Sequence, residues 1–277
     1  MSAKISDQEF AKIRNLVYEK AGINLHEGKK SLVQARLGKI LRRDGYSGFE
    51  DYYSQVLNDE SGNRLVELLD TISTNHTYFF REDDHLTWLG QTILPDILSL
   101  KSVQNEGEIR IWSAGCSTGE EPYTLAMQIL ENDVLSSSTR IKMLATDLST
   151  RVIDTAKIGM YKHDKIKTVP GSLLKKYFHK KKTGNEEMYQ VTRRVQNLIT
   201  FNVLNLLSPF PFKKQFALIF CRNVMIYFDK QTQNRVVNKF YDVLKPGGYF
   251  VVGHSESLSS VKHQFQYVAP TIYKKDE

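Results

Sequence analysis

Two short stretches of this chain combine residue types whose spacing could do chemistry. The first runs Ser113-Ala114-Gly115-Cys116-Ser117-Thr118-Gly119-Glu120-Glu121-Pro122-Tyr123. It follows an apolar run and opens a helical one, and its glycines permit positive φ and close approach of backbone to a ligand. At the C-terminal end of a parallel strand, such a turn lies where open α/β sheets bind cofactors. The spacing is G-x-x-x-G rather than the dinucleotide G-x-G-x-x-G, and Glu120 and Glu121 stand where a pyrophosphate would meet the helix N-terminus. Carboxylates there repel a phosphate and suit a cationic, hydroxyl-bearing ligand. S-adenosylmethionine is of that kind, with a sulfonium, an ammonium and no phosphate. A turn whose glycines only cap, and whose glutamates only complement the helix dipole, would show the same pattern. The second stretch is Ala145-Thr146-Asp147, an apolar run ending in an acid. An acid at the tip of a second parallel strand is placed to accept hydrogen bonds from ribose hydroxyls.

The elements that must position these residues alternate. Strands are expected at Ile109–Trp112, Ile141–Ala145, Phe216–Cys221 and Tyr249–Val252, with helices near 121–131, 149–158 and 230–244 between them. That β-α-β order predicts an α/β fold, a mostly parallel Rossmann-like sheet with helices on both faces. The turn Leu244-Lys245-Pro246-Gly247-Gly248 precedes the last of these strands, and Gln266–Val268 and Thr271–Tyr273 predict an antiparallel hairpin at one edge. The stretch 161–203 interrupts the alternation and is expected to be a small inserted β subdomain holding the runs 188–191 and 198–201, with Lys180–Asn185 as an exposed turn. Residues 6–70 predict helices only. Ser6 and Glu9 form a capping-box pattern ahead of Phe10, Ile13, Val17 and Ala21, and Gly22 is a stop. A second helix fits Lys30 to Arg43, and shorter ones fit 49–57 and 63–72. The division expected is an N-terminal helical domain over 1–73 and an α/β domain over 74–277.

With 277 residues and 41% hydrophobic composition, the chain can bury a substantial core. No segment approaches the roughly 18 apolar residues of a membrane span, and none resembles a signal peptide. Two isolated cysteines, Cys116 and Cys221, fit a reducing cytoplasm and small buried residues rather than a disulfide or a nucleophile. The formal net charge of +7 leans toward an acidic partner without choosing one. The seven histidines show no metal-ligand spacing, so no metal is expected.

Longer motifs then align with a family. Thr74-Asn75-His76-Thr77-Tyr78-Phe79-Phe80-Arg81-Glu82, the loop 117–123, Cys221-Arg222-Asn223-Val224-Met225-Ile226-Tyr227-Phe228 and Gly253-His254-Ser255-Glu256-Ser257 together resemble the CheR family of chemotaxis receptor methyltransferases. The resemblance covers essentially the whole chain, and one departure is His76, where an apolar residue is usual. It implies that Asn75, Thr77 and Arg81 line the cofactor and substrate pocket beside Gly115, that Glu121 meets the amino-acid end of S-adenosylmethionine and Asp147 its ribose, and that Asn205 and Leu206 flank the adenine. Arg222, Asn223 and Tyr227 would complete the pocket. The implied reaction is methyl transfer to receptor glutamates, with S-adenosylhomocysteine as product. A glutamate is already ionised at neutral pH, so positioning rather than a strong base would do the work. Arg81 and Tyr227 are the expected catalytic pair; whether Arg81 meets the carboxylate of the substrate or of the cofactor is left open by the residues.

The implied partners are chemotaxis receptor cytoplasmic domains, met by a monomer without nucleic acid or membrane insertion. The basic face of the second helix, Lys29, Lys30, Arg36, Lys39, Arg42 and Arg43, is expected to dock them. Two rival readings share parts of this pattern. A nucleic-acid methyltransferase shares the cofactor, but amino-methylating enzymes commonly carry Asn/Asp-Pro-Pro-Tyr where this chain has Cys221-Arg222-Asn223-Val224, and carbon-attacking ones use Pro-Cys, whereas Cys221 follows Phe220. A non-catalytic module that senses the cofactor would keep the fold without transferring a methyl group.

Overall fold

The computed structural model describes residues 4–73, 75–134, 139–184 and 186–276; Thr74 and Asn185, both named above, lie outside the described residues. Four helices open the chain: α1 (Asp7–Ala21), α2 (Lys30–Asp44), α3 (Phe49–Leu57) and α4 (Asn63–Ile72). Ser6 and Glu9 form the reciprocal capping box, and Gly22 and Gly45 end α1 and α2 in the left-handed region at φ 71° and 75°. The apolar stripes of these helices meet in one core around Phe10, Val17, Val33, Leu37, Tyr52 and Leu68.

A helical stretch follows that the sequence analysis leaves unassigned: α5 (Asp83–Trp88), α6 (Leu94–Ser99) and α7 (Lys101–Glu106). Residues Leu89–Ile93 between α5 and α6 form a π-turn. Pro95 lacks the N–H that an unbroken α-helix would direct at the Gln91 carbonyl, and the turn before it widens accordingly.

The alternating part comprises β1 (Glu108–Ala114), α8 (Glu120–Leu130), β2 (Arg140–Asp147), α9 (Thr150–Ile158), β3 (Met160–Lys162), α10 (Gly171–Tyr177), β4 (Phe178–Thr183), β5 (Glu186–Val191), α11 (Arg193–Gln196), β6 (Ile199–Val203), β7 (Phe216–Cys221), α12 (Lys230–Val243), β8 (Leu244–Val252), β9 (Gln266–Ala269) and β10 (Ile272–Lys274). The main sheet has the order β6-β2-β1-β7-β8-β10-β9. Its first five strands run parallel, and β10 and β9 add the antiparallel hairpin. The strand order reverses beside β1, so a crevice opens at the carboxyl ends of β1, β2 and β7. Alternate residues serve the two faces. Ile109 and Ile111 join the core under α5–α8, while Trp112 and Ala114 join the core of α12, where Phe210, Phe212 and Phe240 ring the indole.

Two expectations are corrected. The run Leu198–Phe201, assigned to the insertion, belongs to the main sheet: β6 pairs in parallel with β2, Met143 opposite Ile199. The inserted sheet is β3-β5-β4, all antiparallel. A short strand-forming run reads alike whichever sheet it joins; the partner is chosen by tertiary register. Lys180–Thr183, read as turn, lies in β4, because an exposed edge strand tolerates lysines on both faces and is protected by them.

The helical unit is latched to the sheet at several points. Asp70 of α4 accepts from Thr150 Oγ1 (3.0 Å) and the Arg151 N–H (3.4 Å) at the start of α9. Ile23 bridges Phe228, the Asn24 N–H donates to the Tyr227 carbonyl at 2.8 Å, and Asn205 Nδ2 donates to the Lys20 carbonyl at 2.6 Å.

Candidate active site

The loop after β1 is built on Gly115 and Gly119, at φ 84° and 97°. Space is as restrictive as conformation. A Cβ on Gly115 would lie 2.2 Å from Val224 Cγ2, and one on Gly119 would lie 2.9 Å from the Ala156 Cβ. The Gly115 and Cys116 N–H groups both donate to the Thr146 carbonyl, at 2.7 and 2.9 Å, tying the β1 and β2 loops together.

Asp147, buried at the end of β2, accepts one backbone N–H on each oxygen, from Ser117 at 2.8 Å and Ser149 at 3.0 Å. Each oxygen keeps acceptor capacity for a ligand hydroxyl. Burial raises its pKa, and the backbone donors oppose that rise.

The two glutamates divide. Glu121 lines the cavity, accepting from Ser113 Oγ and from Arg222 Nε, both at 2.7 Å. Glu120 is fully buried, bonded to Thr118 Oγ1 at 2.6 Å, and its pKa is raised by burial. Glu120 therefore serves the fold and Glu121 the pocket, a distinction that adjacency in sequence conceals.

Arg222, after β7, is a buried clamp. Besides Glu121 it reaches the Arg81 carbonyl at 2.8 Å, Glu82 Oε2 at 3.4 Å and His85 Nδ1 at 3.2 Å. His85 is 1% exposed, and burial with the neighbouring Arg222 charge lowers its pKa to about 4. Neutral His85 accepts from Arg222 at Nδ1 and so carries its proton on Nε2, 2.7 Å from Thr271 Oγ1. Arg81 donates to the His76 carbonyl at 3.1 Å and lies over the Tyr78 ring. Four non-glycine residues of these loops have positive φ: Phe80 (58°), Glu82 (55°), Ser117 (48°) and Asn223 (59°). Such strain persists where surrounding contacts over-determine the backbone, as at functional sites.

One cavity is lined by all eleven residues expected in the pocket: Asn75, Thr77, Arg81, Gly115, Glu121, Asp147, Asn205, Leu206, Arg222, Asn223 and Tyr227. The helical unit supplies a wall that sequence reasoning missed, including Ala21, Asn24, Leu32 and Ile72. Only Gly22, as a helix stop, marked the bend that brings them there.

The residues expected to dock a partner behave differently. Lys39, Arg42 and Arg43 are exposed, Arg43 bonded to Glu67 at 2.5 Å and Asp44 at 2.6 Å, and Lys30 pairs with Asp7. Arg36 departs from the expectation. It is half-buried and donates to the Ile72 and Ser73 carbonyls at 2.6 and 2.9 Å, so its guanidinium caps α4 instead of facing a partner.

Among the described residues, Glu82, His85 and His254 come close enough to hold a metal ion, a grouping the sequence spacing does not show. Arg222 already places its own positive charge against Glu82 and His85, and His254 Nε2 is bonded to Asp84 at 2.9 Å.

The doubly wound sheet, the glycine loop at its switch point and the acid at the tip of β2 define a nucleoside-binding methyltransferase. Carboxylates with spare acceptor capacity fit S-adenosylmethionine as its cofactor. The CheR methyltransferase SAM binding domain matches residues 75–274, and the CheR methyltransferase all-alpha domain matches residues 8–73. The chain is 42% identical to a chemotaxis protein methyltransferase of Borreliella burgdorferi, over 100% of this chain and 97% of that one. It is 35% identical to the chemotaxis protein methyltransferase of Escherichia coli K12, over 97% of this chain and 91% of that one. The chain belongs to the CheR methyltransferase family, and S-adenosylmethionine is its methyl donor.

Proposed function

We propose that this enzyme methylates glutamate side chains on the cytoplasmic domains of chemotaxis receptors, giving glutamyl methyl esters and S-adenosylhomocysteine. The observation that carries the reading is a continuity: Lys29 and Leu32, at the start of α2, line the same cavity as Arg81 and Tyr227. A segment lying along the cationic face of α2 would reach the reacting methyl group. Bound S-adenosylmethionine supplies an electrophilic methyl on a cationic sulfur. A glutamate oxygen would form the new O–C bond with its lone pair as the methyl C–S bond breaks and that bond's electron pair leaves with sulfur, so opposite charges would cancel. With a reference pKa near 4.3 the nucleophile needs no base. Arg81 holds a carboxylate in line and Tyr227 holds the reacting group beside it.

In this reading residues 1–73 dock the receptor and 74–277 carry the reaction. Glu121 meets the amino-acid end of the donor, Asp147 its ribose, and Asn205 and Leu206 its adenine. The protein acts in the cytoplasm as a monomer, without nucleic acid. No helix among the described residues is long and apolar enough to cross a membrane.

Methyl-labelled S-adenosylmethionine with a receptor cytoplasmic fragment, and tRNA as a parallel acceptor, tests this directly. Label should enter the receptor and leave as methanol in mild base. Base-stable label in RNA would move the assignment to nucleic acid, and binding without transfer to either would favour a sensor.

A further inference from the structure

One wall of the cavity is shaped by a carboxylate that does not line it. Glu256, 5% exposed, accepts backbone N–H bonds from Gly253 (2.7 Å), Asn223 (2.7 Å), Val224 (2.9 Å), Met225 (2.7 Å) and Ile226 (3.3 Å). The donors come from the segments that follow β7 and β8, so one side chain ties two neighbouring strand ends together. Its fit depends on Gly253. A Cβ there would lie 2.9 Å from the Asn223 nitrogen and 3.0 Å from Glu256 Oε2. Burial of the carboxylate raises its pKa, and the same N–H groups work against that rise.

Peptide planarity dictates what the other side of this loop presents. In a trans peptide the N–H of one residue and the C=O of the residue before it point in opposite directions, and the described residues contain no cis bond. With the N–H groups of residues 223–226 turned onto Glu256, the carbonyls of Arg222, Asn223, Val224 and Met225 turn away from it. Val224 spends its oxygen on the Tyr227 N–H at 3.2 Å, and Met225 on Gln233 Nε2 at 2.8 Å. No donor among the described residues reaches the carbonyls of Arg222 and Asn223, and both residues line the cavity. Their peptides are polarised in one sense, with the Glu256 charge at the hydrogen end and the oxygen end turned to the opposite side of the loop.

We infer that Glu256 is a positioning residue for the methyl donor: by gathering the N–H ends of the 223–226 loop it aims the Arg222 and Asn223 carbonyls at the cationic sulfonium of S-adenosylmethionine. This rests on the donor site described above. It separates two ligands of nearly equal shape, because S-adenosylhomocysteine has a neutral thioether where the donor has a sulfonium.

Calorimetric titration of the full chain with each ligand tests it. In Glu256→Gln the amide NH2 meets donors instead of accepting them. S-adenosylmethionine should bind about tenfold more weakly or worse while S-adenosylhomocysteine changes less than about threefold, tenfold being about 1.4 kcal/mol and within reach of one charge-assisted interaction. Glu256→Asp, too short to meet all five donors, should fall between the glutamine variant and the parent. Ser257→Ala, at a hydroxyl bonded to Ser259, should leave both affinities unchanged. Equal loss for both ligands, or an unchanged donor affinity in a folded variant, would overturn the inference. So would failure of both Glu256 variants to fold, which would assign the residue to the fold alone. A parent protein that bound neither ligand would instead sink the donor assignment itself.

Discussion

At the tips of β1, β2 and β7, Arg222, Glu121 and Asp147 are buried or nearly so, and each has two or more partners between 2.7 and 3.4 Å. Along α2, Lys39, Arg42 and Arg43 are exposed, and the carboxylates that Arg43 meets lie on the same surface. The first region is held by buried hydrogen bonds, and its charges act in a medium of low polarisability. The second works through water and salt, where a single ion pair contributes roughly 0–1 kcal/mol. Chemistry that requires in-line geometry is thus assigned to the rigid end of the molecule. In the proposed function, encounter with the receptor falls to a soft face that needs only complementary charge.

The buried clamp should show the largest effect. Arg222→Met leaves Glu121 and Glu82 without their shared cation, and breaking a buried pair costs about 3–5 kcal/mol. Thermal melts should fall accordingly and methyl transfer should be lost; a stable, active variant would remove the contrast between the two regions.

Next comes Gly115→Ala, whose new Cβ would strike Val224 Cγ2 from 2.2 Å in a backbone at φ 84°. Transfer should drop by about 10²-fold, the penalty expected when reacting groups shift by an ångström. Adding Val224→Ala should restore part of it by removing the struck methyl. Without that rescue, backbone strain rather than contact is what forbids a side chain.

Arg81→Ala should lower kcat by about 10–10³-fold through misplacement of a carboxylate, with the shape of the pH profile unchanged. Arg81→Lys should not restore it, because the planar fork is lost. A change in the profile's limbs would mean that Arg81 governs a proton instead.

A pH titration of stability sharpens the comparison further. His85 has a folded pKa of about 4 against an unfolded value of 6.5, so the unfolded chain binds the extra proton between these limits. Stability is therefore full above pH 6.5 and falls as pH drops toward 4, by up to about 3 kcal/mol. Chemical denaturation across that window should show the slope, and His85→Asn should flatten it. Charge reversal on α2 should act least. Lys39→Glu with Arg42→Glu should raise the receptor KM a few-fold at low salt, an effect fading as salt approaches the screening range of about 0.15 M, while donor affinity stays constant. Salt-insensitive methylation would mean that docking is not electrostatic.

What the sequence determined by itself is whatever is local in the chain. The capping box at Ser6 and Glu9 and the stop at Gly22, which delimit α1, follow from neighbours within one turn, and the apolar spacing of the next three helices is equally local. The glycine loop, Asp147 and the Arg222–Tyr227 stretch were legible because each sits at the end of a strand with its own pattern, and long motifs tied them to a family. Only the tertiary structure decided matters between distant residues. It sent the strand at 199–203 to the main sheet instead of the insertion, turned Arg36 from a docking cation into the cap of α4, and buried Glu120 while aiming its neighbour Glu121 into the cavity. It also set Glu256 under a loop thirty residues earlier in the chain and brought His85 between Arg222 and Thr271. Periodicity and spacing report which way one element faces. They carry no information about which other element will meet that face, because the meeting is settled by packing and by the hydrogen bonds each buried polar group must find.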